Sequence, residues 1–244
     1  NSAAGAASGS PFTTQPIVNI IDSSGNTVTS NTAPVNIAVS GGDGLATNFG
    51  TTTINAVAGV ATFSGVGISG TAGTIYTLTF TSPGLISTTE DILLSFGSPT
   101  QLITSLIAKG SSGFPFIQQP VIVIQDAFGN TVADSNALVT MNASGTDGLT
   151  TTLGTTTINA VNGIATFTDA GINGTAGITQ TLTFASPGLT SATQGITVTP
   201  TVTFNDSNIS IEGTFPNLLI SGTGFSPTAA SNTVVFSGPA SAGV

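Results

Sequence analysis

Apolar and polar side chains alternate along short runs of this chain, without the three-to-four-residue spacing of a helix. Gly, Pro, Asn and Ser separate the runs, which suits the turns between strands. The clearest are QLITSLIA (101–108), QPVIVIQD (119–126), ALVTMNA (137–143), LGTTTINA (153–160), GIATFTD (163–169), TQTLTFA (179–185) and ATQGITVT (192–199). Many strands of this length predict an all-β fold built of β-sandwiches.

One phrase occurs twice: TTTINAVAGVATF at 51–63 returns as TTTINAVNGIATF at 155–167, 104 positions later. Without a gap, residues 17–96 match residues 121–200 at 43 of 80 positions. This period is too long for a solenoid unit and suits a whole small domain. We therefore predict a first repeat at 1–98, a second repeat at 99–199, and part of a third domain at 200–244.

Two turn signals recur with the repeat. Asp-x-x-Gly-Asn stands at 22–26 and 126–130, and Gly and Asn tolerate the positive φ of tight turns. Within the repeated phrase, Asn162-Gly163 is a strong two-residue hairpin signal, and Ala58-Gly59 is a weaker one at the same place. We predict that the phrase forms one hairpin per domain and that its larger apolar residues enter the core. These are Ile54, Val57, Val60 and Phe63, with Ile158, Val161, Ile164 and Phe167 in the second copy.

The stretches PFTTQPIVNIIDSSGNTV, GTTTINAVAGVATFSGVGI and GTAGTIYTLTFTSPGLISTT, with their second copies, resemble bacterial immunoglobulin-like repeats. Such repeats occur in tandem in invasin- and intimin-type surface proteins. The resemblance covers about residues 1–199 and implies immunoglobulin-like sandwiches arranged as an extended extracellular rod. Only residues 97–100 link the repeats, which favours a semi-rigid joint. From Pro200, LLISGTGF and NTVVF are similar to the first half of an IPT/TIG-type domain.

Composition excludes several kinds of function. The net charge is −9 with Lys109 as the only cation, so we expect neither nucleic acid nor an anionic membrane as a partner. No apolar run has the length of a membrane span, so we predict no insertion by this segment. Without Cys or His, zinc, haem and iron–sulfur sites lack their usual ligands and a His-based catalytic triad cannot form. The chain also has one Tyr and no Trp, whereas a glycosidase carboxylate pair usually works beside aromatic platforms. We predict no enzyme activity, no catalytic residues and no cofactor.

Calcium is the one metal that the acidic residues could suit. Calcium takes six to eight oxygen ligands, usually from converging carboxylates, and the acids here are scattered. We expect Asp22 and Asp126 to cap their turns by accepting hydrogen bonds from backbone amides. Calcium bound by Asp22 or Asp126, or at a domain junction by Glu90 and Asp91, is the weaker alternative.

Covalent glycan is a further expectation. Asn142, Asn173, Asn205 and Asn208 each begin an Asn-x-Ser/Thr acceptor motif. We favour Asn173, in a predicted Gly-rich loop, over Asn142, in a predicted strand.

Several phenylalanines could be imagined as carbohydrate platforms, but their alternation within strands favours the core. They are Phe12, Phe49, Phe63, Phe80, Phe116, Phe167, Phe184 and Phe204.

The functional prediction is a non-enzymatic segment of an extracellular cell-surface polymer, such as an adhesin stalk, a filament or a surface layer. Alternatives are an adhesive module that binds a glycan or a protein, an accessory stalk of a secreted enzyme, and a phage decoration protein. Neighbouring copies or domains of the polymer are the expected partners. The first repeat lacks a counterpart of QLITSL, so we expect its open edge to be completed either by a longer polypeptide or by a strand from a neighbour.

Overall fold

The computed structural model describes residues 1–105, 109–146, 148–199, 201–203 and 221–223. Every regular element in these residues is a β-strand, so the predicted all-β fold is confirmed. The same residues contain no helix long and apolar enough to cross a membrane.

Nine strands lie in the first repeat. They are β1 (Ser10–Pro11), β2 (Ile17–Asn19), β3 (Pro34–Ser40), β4 (Thr47–Phe49), β5 (Thr53–Asn55), β6 (Val60–Thr62), β7 (Gly67–Ser69), β8 (Ile75–Thr81) and β9 (Thr88–Leu93). One sheet has the order β5-β3-β8-β9, and the opposite layer consists of β2-β6 and β1-β7-β4. One core cluster draws side chains from all of these sheets, including Leu78 and Ile68, which makes the repeat a β-sandwich.

Eleven strands lie in the second repeat. They are β10 (Gln101–Thr104), β11 (Gly110–Ser111), β12 (Phe114–Pro115), β13 (Val121–Gln125), β14 (Leu138–Ser144), β15 (Thr151–Leu153), β16 (Thr157–Asn159), β17 (Ile164–Thr166), β18 (Gly171–Asn173), β19 (Thr179–Ala185) and β20 (Ala192–Thr199). The sheets have the orders β11-β20-β19-β14-β16, β10-β13-β17 and β12-β18-β15. Two strands distinguish this repeat from the first. The place of β11 is taken there by the single bridge Ala7–Ser95, and β10 has no counterpart among the described residues.

Beyond Pro200 the structure describes only β21 (Thr201–Thr203) and β22 (Ser221–Thr223), which pair antiparallel. The partial third domain predicted at 200–244 otherwise lies outside the described residues.

The turn at the centre of the repeated phrase forms where the sequence predicts it. Asn162 and Gly163 both have positive φ, 52° and 76°, and Val161 and Ile164 exchange backbone hydrogen bonds of 2.8 and 3.0 Å around them. Ala58, at the same place in the first copy, has a φ of 50°. This region is unfavourable for alanine and tolerated by asparagine, so the same turn is strained in one copy and relaxed in the other.

The hairpin prediction is wrong beyond this turn. The strands on either side do not form one ladder, because β16 pairs with β14 in one sheet and β17 pairs with β13 in the other. The phrase is therefore a corner at which the chain crosses from one layer of the sandwich to the opposite layer.

The corner changes which residues of the phrase are buried. Val57 and Val161 are 76% and 69% exposed, so their predicted place in the core is wrong, and Ile164 is also exposed. Both valines flank the turn at the rim of the sandwich. The core instead takes two alanines from each copy, together with the expected phenylalanine. The buried residues of the phrase are Ala56, Ala61 and Phe63, with Ala160, Ala165 and Phe167 in the second copy.

Most of the phenylalanines lie in the cores, as predicted. The rings of Phe63 and Phe80 lie 6.0 Å apart, and those of Phe167 and Phe184 lie 6.0 Å apart in the same tilted arrangement. Phe12 and Phe116 are also buried. Phe49 is only half-buried, and Phe204 lies outside the described residues.

Candidate functional site at the joint between the two repeats

The Asp-x-x-Gly-Asn turn of the second repeat is closed by its own aspartate. The Asp126 Oδ1 atom accepts hydrogen bonds from the backbone amides of Phe128, at 2.8 Å, and Asn130, at 2.9 Å. In the first repeat, Asp22 Oδ1 accepts the equivalent bonds from Ser24 and Asn26, both at 2.9 Å. These are the capping bonds that the sequence predicts for both turns.

In the second repeat, this turn also faces the first repeat. Asn130 Oδ1 accepts from the Ala72 amide at 2.8 Å, and its Nδ2 donates to the Gly70 carbonyl at 3.0 Å. Asp126 Oδ2 accepts from Asn130 Nδ2 at 2.9 Å and from the Gly97 amide of the linker at 2.8 Å. Asp126 is 1% exposed and Asn130 9%, whereas the corresponding turn at 22–26 is exposed.

The loop that meets Asn130 is itself held from within the first repeat. Ser8 Oγ donates to the Gly70 carbonyl at 3.0 Å and accepts from the Gly70 amide at 3.1 Å. The Thr71 amide donates to the Tyr76 hydroxyl at 3.0 Å, and that hydroxyl donates to Asp43 Oδ1 at 2.9 Å. The Thr71 hydroxyl donates to the other oxygen of Asp43. A polar network therefore runs from the first repeat to the joint.

An apolar contact and the linker complete the joint. The Phe128 ring lies against Gly9 so closely that a Cβ atom built on Gly9 would fall 2.3 Å from the ring. Gly9 also has a φ of 77°, so both the space and the backbone require glycine there. At the far end of the linker, the Thr100 amide donates to the Gln125 carbonyl at 2.8 Å. Both ends of the linker are thus bonded to the second repeat, which restricts bending between the repeats.

The electrostatics of the joint favour an ionised Asp126. Burial raises the pKa of this carboxyl, but hydrogen bonds from the Asn130 side chain and from the amides of Gly97, Asn130 and Phe128 together outweigh burial and hold the pKa below its usual value. A side-chain hydrogen bond from Thr71, followed by the Leu45 amide, lowers the pKa of Asp43.

The exposed Asp22 has a lowered pKa as well. Its largest cause is the hydrogen bond from the Asn26 backbone amide, followed by that from the Asn26 side chain.

Glu90 and Asp91, the acids suggested for a calcium site near a domain junction, are neighbours on one strand. Both are in β9, opposite Leu78 and Thr77 of β8, and neighbours along a strand point to opposite faces. Asp91 accepts a hydrogen bond from the Thr77 hydroxyl at 2.8 Å. The junction carboxylate is Asp126. Over the described ranges, no group of three or more His, Cys, Asp or Glu residues could hold a metal ion.

The glycan acceptor asparagines lie in different settings. Asn142 is exposed on β14. Asn173 ends β18 and is half-buried, with its Nδ2 donating to Thr151 Oγ1 at 3.2 Å, so the predicted loop setting is wrong. Asn205 and Asn208 lie outside the described residues.

Sequence reasoning did not identify Asn130, Gly70 and Ala72 as joint residues. The two turns share Asp, Gly and Asn, and the loop sequence GTAG is identical at 70–73 and 174–177, so neither motif reveals which copy makes the contact. The difference in sequence that could have shown which turn forms the joint is the pair Ala127-Phe128, which stands where the first repeat has two serines.

No protein-family model matches the chain, and no curated protein matches it. Solved structures that the chain matches include invasin, titled a bacterial integrin-binding protein, with a TM-score of 0.31 and 17% identity over 81% of this chain and 38% of that one. A β-glucuronidase from Parabacteroides merdae has a TM-score of 0.31 and 13% identity, covering 68% of this chain and 20% of that one. A β-glycosidase from Bacteroides vulgatus has a TM-score of 0.35 and 13% identity, covering 68% and 21%. The chain thus spans about a fifth of the two glycosidases and less than half of invasin.

Proposed function

We propose that this chain is a non-enzymatic structural segment of an extracellular cell-surface polymer, in which tandem immunoglobulin-like sandwiches form a semi-rigid rod. Neighbouring domains or copies of the polymer are its partners. The observation that carries the proposal is the joint, where buried Asp126 and Asn130 of the second repeat bond the linker and a loop of the first.

The contacts at the joint support a role in holding the two repeats in a fixed orientation and in transmitting mechanical load from one repeat to the next. Asn130 makes two hydrogen bonds to backbone groups of the other repeat, and backbone groups remain in place when side chains vary. A charge-assisted bond from Gly97 to Asp126 ties the linker to the same turn. A joint bonded at both ends of a four-residue linker keeps two domains in one relative orientation, which a stalk or filament requires.

The surface composition also fits such a segment. Charged residues make up only 5% of the chain, so hydroxyl and amide groups provide most of its polar surface. Glycan at Asn142 or Asn173 would add solvation that charges do not supply.

The rigidity of the joint can be measured directly, because the chain has no cysteine. Spin labels on cysteines introduced at the exposed, equivalent positions Asn55 and Asn159 report the distance between repeats by pulsed electron paramagnetic resonance. We expect a narrow distance distribution in the full chain and a broader one in Asn130→Ala. The matched control is Asn26→Ala, which removes the same side chain from the exposed turn and should leave the distribution narrow. A distribution that is broad in the unmodified chain contradicts a semi-rigid rod.

The cellular location needs a separate test. Antibodies against the chain should label intact cells that carry the gene, seen by immuno-electron microscopy as filaments or a coat. Label that appears only after the cells are permeabilised would contradict an extracellular polymer.

A further inference from the structure

In the second repeat, β11 and β20 lie side by side and run in the same direction. Gly110 is opposite Val198, and Ser111 is opposite Thr199. Strand β11 lies near the start of the repeat, and β20 is its last strand. Tension on the polypeptide on either side of the repeat therefore pulls these two strands in opposite directions along their own axes.

The chain enters and leaves the second repeat at opposite ends of the sandwich. At the joint, the Thr100 amide donates to the Gln125 carbonyl at 2.8 Å. At the other end, the Ser112 amide donates to the Thr199 carbonyl at 3.1 Å, and Ser112 Oγ accepts from the Gly174 amide at 3.3 Å. Gly174 begins the GTAG loop, whose copy in the first repeat meets the next domain. Hydrogen bonds lie across a strand pair, so a pull between these ends loads the bonds between β11 and β20 together, in shear.

A threonine hydroxyl adds to the backbone bonds of this strand pair. Thr199 Oγ1 donates to the Gly110 carbonyl at 3.2 Å, and Ser111 Oγ lies 3.2 Å from the same oxygen, where it can donate to it. The last residue of β20 is thus bonded to segment 110–112 through both its backbone and its side chain. Sliding of one strand past the other has to break all of these bonds in one step.

The strand pair lies directly on the core of the second repeat. Gly110 and Ser112 are buried, and Val198 is 1% exposed. A Cβ atom built on Gly110 would fall 2.9 Å from the Ile172 side chain and 3.0 Å from the Phe116 ring, so glycine allows β11 to lie this close. Hydrogen bonds are stronger in such a setting than in water, which favours their resistance to sliding.

The same contact recurs in the first repeat, 104 positions earlier. The Ser8 amide donates to the Ser95 carbonyl at 3.0 Å, and both the amide and the hydroxyl of Ser95 donate to the Ala6 carbonyl at 2.9 Å. Ser8 Oγ also bonds Gly70, whose carbonyl accepts from Asn130 across the joint. A chain of hydrogen bonds therefore connects the joint to this contact, and a hydroxyl residue stands at its centre in both repeats.

We propose that this contact is a mechanical clamp, formed by segments 6–8 and 94–95 in the first repeat and by 110–112 and 198–199 in the second. The clamp sets the force at which each repeat unfolds, and the hydroxyl of Ser95 or Thr199 raises that force. Unfolding under force is governed by the unfolding rate, so the clamp acts on that rate more than on equilibrium stability. Because the clamp works only when neighbouring domains pull on a repeat, this role rests on the proposed function.

Single-molecule force spectroscopy tests the clamp on the full chain, held by handles fused to its two ends. The unmodified chain should show one main unfolding event for each repeat. Thr199→Val removes the side-chain bonds of the clamp at nearly constant volume, so one event should move to lower force. Its unfolding rate at a given force should rise about tenfold, because bonds that are broken in the transition state affect that rate in full. Ser95→Ala should move the other event in the same direction.

The matched control for the threonine variant is Thr151→Val. Thr151 Oγ1 accepts a hydrogen bond of 3.2 Å from Asn173 Nδ2, between β15 and β18 and away from the clamp. In denaturant both variants should lose a comparable free energy of unfolding, but only Thr199→Val should lower the unfolding force. Equal unfolding forces for the two variants overturn the clamp.

A backbone variant tests the strand pairing itself. Ser112→Pro removes the amide that donates to the Thr199 carbonyl, and Ser112→Ala keeps this amide and controls for the lost hydroxyl. The proline variant should unfold at lower force than the alanine variant, with hydrogen exchange of the buried strands showing that both are folded. If the proline variant does not fold, Thr199→Val and Thr151→Val still decide the outcome.

Two further results would overturn the clamp. One is equal unfolding force in the proline and alanine variants. The other is an effect confined to a short early extension, which would place the resistance in β10 rather than in β11 and β20. These forces are measured independently of the distance between repeats and of antibody labelling, so failure of the clamp is distinguishable from failure of the proposed function.

Discussion

Asn26 and Asn130 occupy the same position of the same turn, 104 residues apart, yet only Asn130 bonds to another repeat. The Asn26 side chain reaches only Asp22 of its own turn. The turn is therefore one local structure with two uses, and it becomes a joint where a second domain lies against it. This pair supplies matched variants for separating local stability from contact between domains.

Replacing Asp126 should cost far more stability than replacing Asp22. Asp126→Ala removes four hydrogen bonds to a buried carboxylate and should lower the free energy of unfolding of the second repeat by about 2 to 4 kcal/mol. Asp22→Ala removes bonds at an exposed turn and should have a smaller effect on the first repeat. Amide hydrogen exchange of the buried strands reads each repeat separately. Equal losses in the two variants would show that burial at the joint adds nothing.

The joint should weaken in acid but not near neutral pH. The pKa of Asp126 in the folded chain lies below its ordinary value of 3.8. A lowered folded pKa contributes stability that is present above the unfolded value and is lost as the pH falls through the folded value. We therefore expect the amide signals of Gly97 and Ala72 to stay constant from pH 8 to about pH 5 and to shift below about pH 4. Asp126→Asn should abolish the dependence at Gly97, and a transition near pH 6 would contradict this assignment.

The two copies of the corner turn should respond oppositely to an exchange of residues. Ala58→Asn places a residue that tolerates positive φ where alanine is strained, and should stabilise the first repeat by about 1 kcal/mol. Asn162→Ala should destabilise the second repeat by a similar amount. Both side chains are exposed, so packing changes little. Hydrogen exchange in each repeat measures the result, and changes of the same sign in both repeats would contradict the strain at Ala58.

Calcium should not be needed for folding. Asp22 and Asp126 already accept hydrogen bonds from their own turns, and Glu90 and Asp91 are neighbours along one strand. The melting temperature should be the same in a chelator and in millimolar calcium. A large rise with calcium would require a site that binds the folded chain preferentially. The acids to replace first would then be Glu90 and Asp91, with Asp134 as an exposed control.

The periodicity of the sequence determined the all-β fold and the places of the turns. Alternation decides which side chains of a strand can share one face, and Asn162-Gly163 or Asp-x-x-Gly-Asn require backbone conformations that few residues adopt. These are local properties, so they can be read from neighbouring residues alone. The burial of Phe63 and Phe167 also follows locally, because each continues the alternation of its strand.

Only the tertiary structure decided what local patterns leave open. Strands β16 and β17 join different sheets although their turn suits a hairpin, because each has a longer partner strand in its own layer. Val161 is exposed and Ala160 is buried because the chain crosses from one layer of the sandwich to the other at this turn. The Asp, Gly and Asn residues shared by the turns at 22–26 and 126–130 have different surroundings, since their burial depends on what lies across the joint.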